Sequence, residues 1–223
     1  MVEMSTLAIG TQVQLVFQTQ FLTFTPDQFS KALTERKYLE VRTQIANPLN
    51  PQAPISVQSF SKENVTVLLP PPIPPNPNPI VFQILNTINL EQKYKEVKDI
   101  LIALNIFPEI ISNSSFRCTT RTQSKTNPQD RLTSLVDSTF LKKISKNLST
   151  NLKVFSIRFV TVFPLEREGG CQVIIEPLAT NPNKEYYLEI IYVTTKINEF
   201  DRFISEFGSD MIQRIMEETE KNV

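Results

Sequence analysis

The chain is expected to fold as an α+β protein built from two βαββ(β)βα units. Their strands would join in one extended, curved antiparallel sheet with helices on one face. Three observations predict this. Apolar residues alternate with a period of two in many short segments, the mark of half-buried strands. Segments with helical spacing follow some of these strands and open on Thr25-Pro26, Asn89 and Asn127-Pro128, all residues suited to a helix start. The order of elements then occurs twice. Pro26 and Pro128 are 102 residues apart, Asn76-Pro77-Asn78 and Asn181-Pro182-Asn183 are 105 apart, and Pro70 and Pro177 are 107 apart. A repeat at nearly constant spacing reads as an internal duplication.

The first unit begins with a strand over Thr11–Phe21. Val13, Leu15, Phe17 and Phe21 point one way, and Gln12, Gln14, Gln18 and Gln20 the other. In the next helix Thr25 is the N-cap and Gln28 stands at the third helical position, which makes a capping box. Phe29, Ala32 and Leu33 form its apolar face. YLEVRTQI alternates again, predicting Leu39, Val41 and Ile45 inward and Glu40, Arg42 and Gln44 outward. ISVQSFS, NVTVLL and PIVFQIL read as further strands. A helix capped by Asn89 carries the stripe Leu90, Tyr94, Val97, Ile100, Leu101 and Leu104.

The second unit follows the same order. SFRCTTRTQ is a strand, and Asn127 caps a helix whose pattern runs on through Phe140, Leu141, Ile144 and Leu148. LKVFSIRFVTVF reads as one long strand, followed by CQVIIEPLA and EYYLEIIYVT. The last helix starts near Lys196, carries Ile197, Phe200, Phe203, Ile204, Phe207, Met211, Ile215 and Met216, and is bent or interrupted at Gly208. The boundary between units falls near residues 105–113, giving a first repeat over 1–108 and a second over 109–223, packed as one pseudo-two-fold unit. Seven prolines lie between Pro70 and Pro79. The duplication makes that tract a projecting hairpin loop, equivalent to the loop at Asn181–Asn183.

In its order of elements, across nearly the whole chain, the sequence resembles the duplicated saddle of the TATA-binding protein fold. No motif carries the resemblance, so it implies an architecture and transfers no DNA-contacting residue. A helix-grip fold, with a sheet wrapped around a long C-terminal helix, is the alternative, and it does not imply a duplication.

Composition narrows the chemistry. Lys+Arg and Asp+Glu both number 23, so no strongly basic surface is written into the total. Histidine is absent, which excludes Ser-His-Asp and Cys-His catalysis and every metal site that needs imidazole. The two cysteines, Cys118 and Cys171, are expected to be buried thiols and are too few for a Cys₄ zinc site. With four glycines, neither of the common phosphate-cradling loops occurs. No cofactor, metal or catalytic group is expected, and the chain reads as a non-enzyme. MVEMSTLAIG has no basic region followed by an apolar run, so the expected compartment is the cytoplasm, with no membrane partner.

If helices cover one side of the sheet, the other side presents the outward residues. The candidates for a macromolecule-binding face are Gln14, Gln18, Arg42, Gln44, Arg117, Arg121 and Arg158. That face is expected to be rich in amides and guanidinium groups and poor in carboxylates, with Glu40 the exception. The expected function is non-catalytic binding or regulation of a macromolecule through the open face or the helix layer, a protein being favoured slightly over nucleic acid. The alternatives are nucleic-acid binding through Arg117, Arg121 and Arg158, and carriage of an apolar small molecule between sheet and helix. Exposed sheet edges leave a homodimer open.

Overall fold

The computed structural model describes residues 8–45, 55–69, 79–150, 152–161, 169–207 and 210–221. The first part of the chain runs β1 (Ala8–Thr19), α1 (Pro26–Thr34), β2 (Leu39–Ile45), β3 (Ile55–Lys62), β4 (Val65–Leu69), β5 (Pro79–Ile84) and α2 (Leu90–Ala103). After a 3-10 turn at Pro108–Ile110 come β6 (Ile111–Gln123), α3 (Pro128–Ser134), α4 (Ser138–Asn147), β7 (Ile157–Val160), β8 (Gly169–Pro177), β9 (Glu185–Thr194), α5 (Ile197–Glu206) and α6 (Met211–Glu220). The strands form one antiparallel nine-stranded sheet in the order β2-β3-β4-β5-β1-β6-β9-β8-β7. The class is therefore α+β, as the patterning predicts.

The sheet is organised outward from its central pair. β1 and β6 lie antiparallel, with Leu15 opposite Phe116 and Val13 opposite Cys118. Strands β5, β4 and β3 follow on one side of that pair, and β9, β8 and β7 on the other. Lateral partners share a face, so one row can be followed across the sheet: Phe60, Val67, Phe82, Leu15, Phe116 and Tyr192. All six are buried under the helices.

The proline-rich stretch joins neighbours. β4 and β5 pair directly, Val67 opposite Phe82, although the loop at 70–78, with the first Asn-Pro-Asn, lies outside the described residues. Its counterpart is visible between β8 and β9. There Leu178 N–H donates to Glu185 O at 2.8 Å and Glu185 N–H to Asn181 O at 3.0 Å, closing the loop that contains Asn181–Asn183.

Local chemistry explains most helix starts. Thr25 Oγ1 accepts from Gln28 N at 3.3 Å while Gln28 Oε1 accepts from Thr25 N at 2.8 Å, the reciprocal capping box. Asn127 Oδ1 accepts from the amides of Gln129 and Asp130. Asn89 departs from expectation. It sits in the left-handed region at φ 55° and makes no side-chain cap, a conformation that asparagine tolerates better than most residues.

Three further expectations are corrected. The helix expected from Asn127 through Leu148 is two helices, because Asp137 turns the chain and recaps it, its Oδ1 accepting from Thr139 N at 2.7 Å. Of the long strand expected over Leu152–Phe163, the described residues place four in the ladder, β7, and Val162 and Phe163 lie outside them. Ahead of it Leu152 N donates to Ser145 Oγ and Val154 N to Thr133 Oγ1, so these amides bond to the α3–α4 region instead of a strand. Finally, β2 is out of phase. Its register sets Glu40 beside buried Phe60 and puts Leu39 and Val41 on the opposite side, where Leu39 is 74% exposed. The partner strand decides this. Phe60 packs edge-on against Phe29 of α1, 5.6 Å between ring centres, and β2 takes the phase that remains.

The core is dominated by aromatic rings. α5 lays Phe200, Phe203 and Phe207 over the central strands. Phe200 meets Phe17 at 5.5 Å and Tyr94 at 5.8 Å, Phe207 meets Phe116 at 4.5 Å, and Phe203 stacks on Tyr192 at 4.1 Å. Across the helix layer Tyr94 Oη donates to Asp201 Oδ1 at 2.6 Å and Lys98 Nζ lies 3.0 Å from Asp201 Oδ2, tying α2 to α5. Replacing Phe200 by Ala should cost about 3–5 kcal/mol, measured by urea denaturation. A loss under 1 kcal/mol would show that α5 is not seated as described. Both cysteines are free, and burial pushes the Cys118 thiol up to about 12. Cys118 should resist a thiol reagent in the native protein and react fully once the chain is unfolded.

Candidate macromolecule-binding face

The side of the sheet away from the helices is built from the alternate residues of the same strands. One row reads Thr66, Gln83, Gln14, Arg117, Ile191, Gln172 and Val160. The row beside it reads Leu68, Val81, Val16, Ser115, Val193 and Gly170. A third reads Gln12, Thr119, Glu189, Ile174 and Arg158. The face thus sets an amide-rich strip against an apolar one.

The strands position these groups through ordinary pleating with one irregularity. The β1–β6 register slips between Ile9 and Gln12, and Gly10 in that gap has φ 72°, a conformation that costs glycine little. Gln12, Gln14, Arg117 and Thr119 then line a shallow depression of about 310 Å³. Gln18, farther along β1, pairs with Asn113, whose Nδ2 donates to Gln18 Oε1 at 3.3 Å.

Two of the three arginines are already engaged. Arg117 Nε is ion-paired with Glu189. Arg121 donates twice to Glu185 Oε2, from Nη2 at 2.8 Å and from Nε at 3.2 Å. The arginine side chains stay about half exposed, 53% and 47%, while their carboxylate partners are covered at 9% and 12%. Each guanidinium lies over its carboxylate, so both charges are matched within the face. The expectation of a carboxylate-poor surface is corrected here, since Glu185 and Glu189 alternate into the open face from β9 and Glu176 does so from β8. Both ion pairs are diagonal. Arg117 is directly opposite Ile191 and Arg121 opposite Tyr187, and each reaches the acid two residues along. The sequence holds the signal in its spacing: Arg117 and Arg121 are four apart on one strand, as are Glu185 and Glu189 on the strand that pairs with it.

Glu185 is held most firmly. Asn181 Nδ2 donates to its Oε1 at 2.7 Å, and this bond, together with Arg121, lowers the carboxyl below the usual glutamate range.

The remaining candidates divide. For Arg42 and Gln44 the backbone register alone is described, opposite Gln58 and Ser56, and their side chains lie outside the described residues. Arg158 is exposed on β7, opposite Ile174. The structure therefore sets Gln14 beside Arg117 on the central strands, places Gln18 and Arg121 towards opposite ends of the same pair, and leaves Arg158 at an edge.

Among the described residues no cluster of three or more Cys, Asp or Glu side chains could hold a metal ion, and no helix is long and apolar enough to cross a membrane. Comparison with protein-family models, with curated proteins and with solved structures gives no match.

A group whose carboxyl is lowered in the folded state adds stability above its ordinary range and loses that contribution as pH falls through the folded value. Glu185 should accordingly titrate below free glutamate in a side-chain carboxyl NMR titration, and Asn181→Ala should move it upward. A wild-type value at or above that of free glutamate would contradict the assigned bonds.

Proposed function

We propose that the protein is a non-catalytic binding protein that contacts a partner protein through the open face of its sheet. One observation carries the reading: the central arginines of that face are matched by buried carboxylates within it. What the face then offers is amide hydrogen-bonding groups at Gln12, Gln14, Gln83 and Gln172 beside the apolar row through Val16 and Val193. Mixed polar and apolar surface without net charge is the composition of an ordinary protein–protein interface.

The same observation speaks against nucleic acid. Affinity for a phosphate backbone comes from cations that release counterions, and a guanidinium lying on a carboxylate releases few. The ring packing between α5 and the sheet speaks against a carrier, which needs that space for its ligand. The like connectivity on both sides of β1–β6 supports reading the chain as two copies of one unit, in the manner of the TATA-binding protein saddle. That likeness is one of architecture and brings no ligand with it. A non-catalytic role in the cytoplasm belongs to the same proposal.

The test places a photo-crosslinking residue at Gln14 or Gln172 on the open face, and at Glu91 on the helix side, in cells of the source organism. A discrete protein adduct from the first two positions and none from the third is the expected result. Nucleic-acid adducts from Gln14, or protein adducts from Glu91 alone, would overturn the reading.

A further inference from the structure

The two ends of the sheet differ. In the first half β3 is flanked by β2, and in the second half β7 holds the place that β3 holds in the first. Among the described residues no strand lies outside β2. Its ladder phase follows from the hairpin behind it. β3 and β4 are joined by the two-residue turn Glu63-Asn64, with Glu63 at φ 51°, so Lys62 and Val65 close the turn as a bonded pair. Antiparallel pairs alternate, so Phe60 and Gln58 also bond toward β4, and Ser61, Ser59 and Val57 bond toward β2. Ser59 Oγ donates to the Val41 carbonyl, which faces β3 as this phase requires. Leu39, Val41 and Thr43 are therefore bonded inward, and Glu40 and Arg42 turn their backbone N–H and C=O groups outward.

The edge is apolar on one side of the strand and charged along its outward groups. Leu39 is 74% exposed and Val41 44%, both on the open side of the sheet, and no large apolar side chain among the described residues is more exposed than Leu39. Glu40, between them, is exposed on the other side. Arg42 stands two positions beyond Glu40 in the same ladder. Sheet edges that stay single are ordinarily blunted by lysine, proline or a bulge, and the register of β2 on β3 runs without a slip from Leu39 to Ile45.

We propose that β2 is the interface of a homodimer in which two copies of the chain pair edge to edge, antiparallel, about a two-fold axis at Val41, so that the sheet runs unbroken from one copy into the other. A two-fold pairing of this edge can centre on Glu40, Val41 or Arg42. Centred on Val41, it sets Glu40 of each copy directly opposite Arg42 of the other. These are the residues whose ladder groups turn outward, so they exchange backbone bonds as well. Val41 then meets Val41 in the closer, non-bonded kind of pair, with Leu39 of each copy diagonal to it, which covers the apolar residues now open to solvent. Centring on Glu40 or on Arg42 sets like charges face to face. This selects a second copy over a strand of another protein, because the stretch Leu39-Glu40-Val41-Arg42 supplies both halves of its own complement. Such a contact closes on itself, whereas pairing β2 with the β7 edge of the next molecule would leave a free edge at each step and extend without limit. The pairing continues the open face across the axis and does not depend on what that face binds.

Sedimentation velocity of the full chain over a range of concentrations reads the association directly. The wild type should form a dimer and nothing larger. Glu40→Arg sets Arg against Arg at both ends of the pairing, and Arg42→Glu sets Glu against Glu, so each variant alone should dissociate at least tenfold more readily, with circular dichroism unchanged. Mixed one to one, the two variants complement each other at both positions and should dimerise as the wild type does. The double variant Glu40→Arg, Arg42→Glu should do so by itself. Val41→Cys lies on the axis and should form an interchain disulfide on mild oxidation, whereas Leu39→Cys, four residues out of line with its own copy, should not. A wild type that stays monomeric at every concentration, single variants that dimerise undiminished, a mixture that stays apart, or assemblies that grow past the dimer would each overturn the proposal.

Discussion

The antiparallel pairing of β1 with β6 is the contact on which the rest of the molecule depends. It joins residues about a hundred apart in sequence, and it is the point from which strands are added outward on both sides. The aromatic side chains of α5 close over it. Phe200 rests on Phe17 of β1 and Phe207 on Phe116 of β6, so one helix clamps both halves. Contacts so distant in sequence require closure of a long loop before they are repaid. Loss of any of these rings would be felt across the whole sheet.

The same pairing fixes the chemistry of the opposite face. Once Leu15 is set against Phe116, parity sends Gln14 and Arg117 to the other side. Once β9 takes its register on β6, Glu185 and Glu189 come within reach of Arg121 and Arg117. The charge balance of the open face is thus a consequence of core register. A slip of one residue would exchange both faces at once.

Much of this was legible in the sequence, and the limits of legibility have physical causes. Alternation located β1 because it is long and its apolar residues Val13, Leu15 and Phe17 all face the helices. The starts of α1 and α3 were legible because Thr25 and Asn127 cap through side chains adjacent in sequence. β2 was misread because the alternation of LEVRTQI sets which residues share a side, whereas the side that faces the helices is decided by Phe60 on its neighbour. The ion pairs were missed because they are diagonal contacts between strands more than sixty residues apart, invisible until β6 and β9 are known to pair. The uneven edges were missed because LKVFSIRFVTVF has the pattern of a long strand, whereas the amides of Leu152 and Val154 bond to Ser145 and Thr133 instead.

The measurement that bears most directly on the central claim, that the arginines of the open face are spent within the face, is the salt dependence of nucleic-acid binding. Labelled duplex and single-stranded DNA and RNA would be titrated with the full chain at two salt concentrations and followed by anisotropy, with an Arg117→Ala, Arg121→Ala variant in parallel. The account predicts that the double variant binds as the wild type does at both salts, because those guanidinium groups are matched by Glu189 and Glu185. Binding that falls steeply with salt and is lost in the double variant would contradict it and make the open face a nucleic-acid surface.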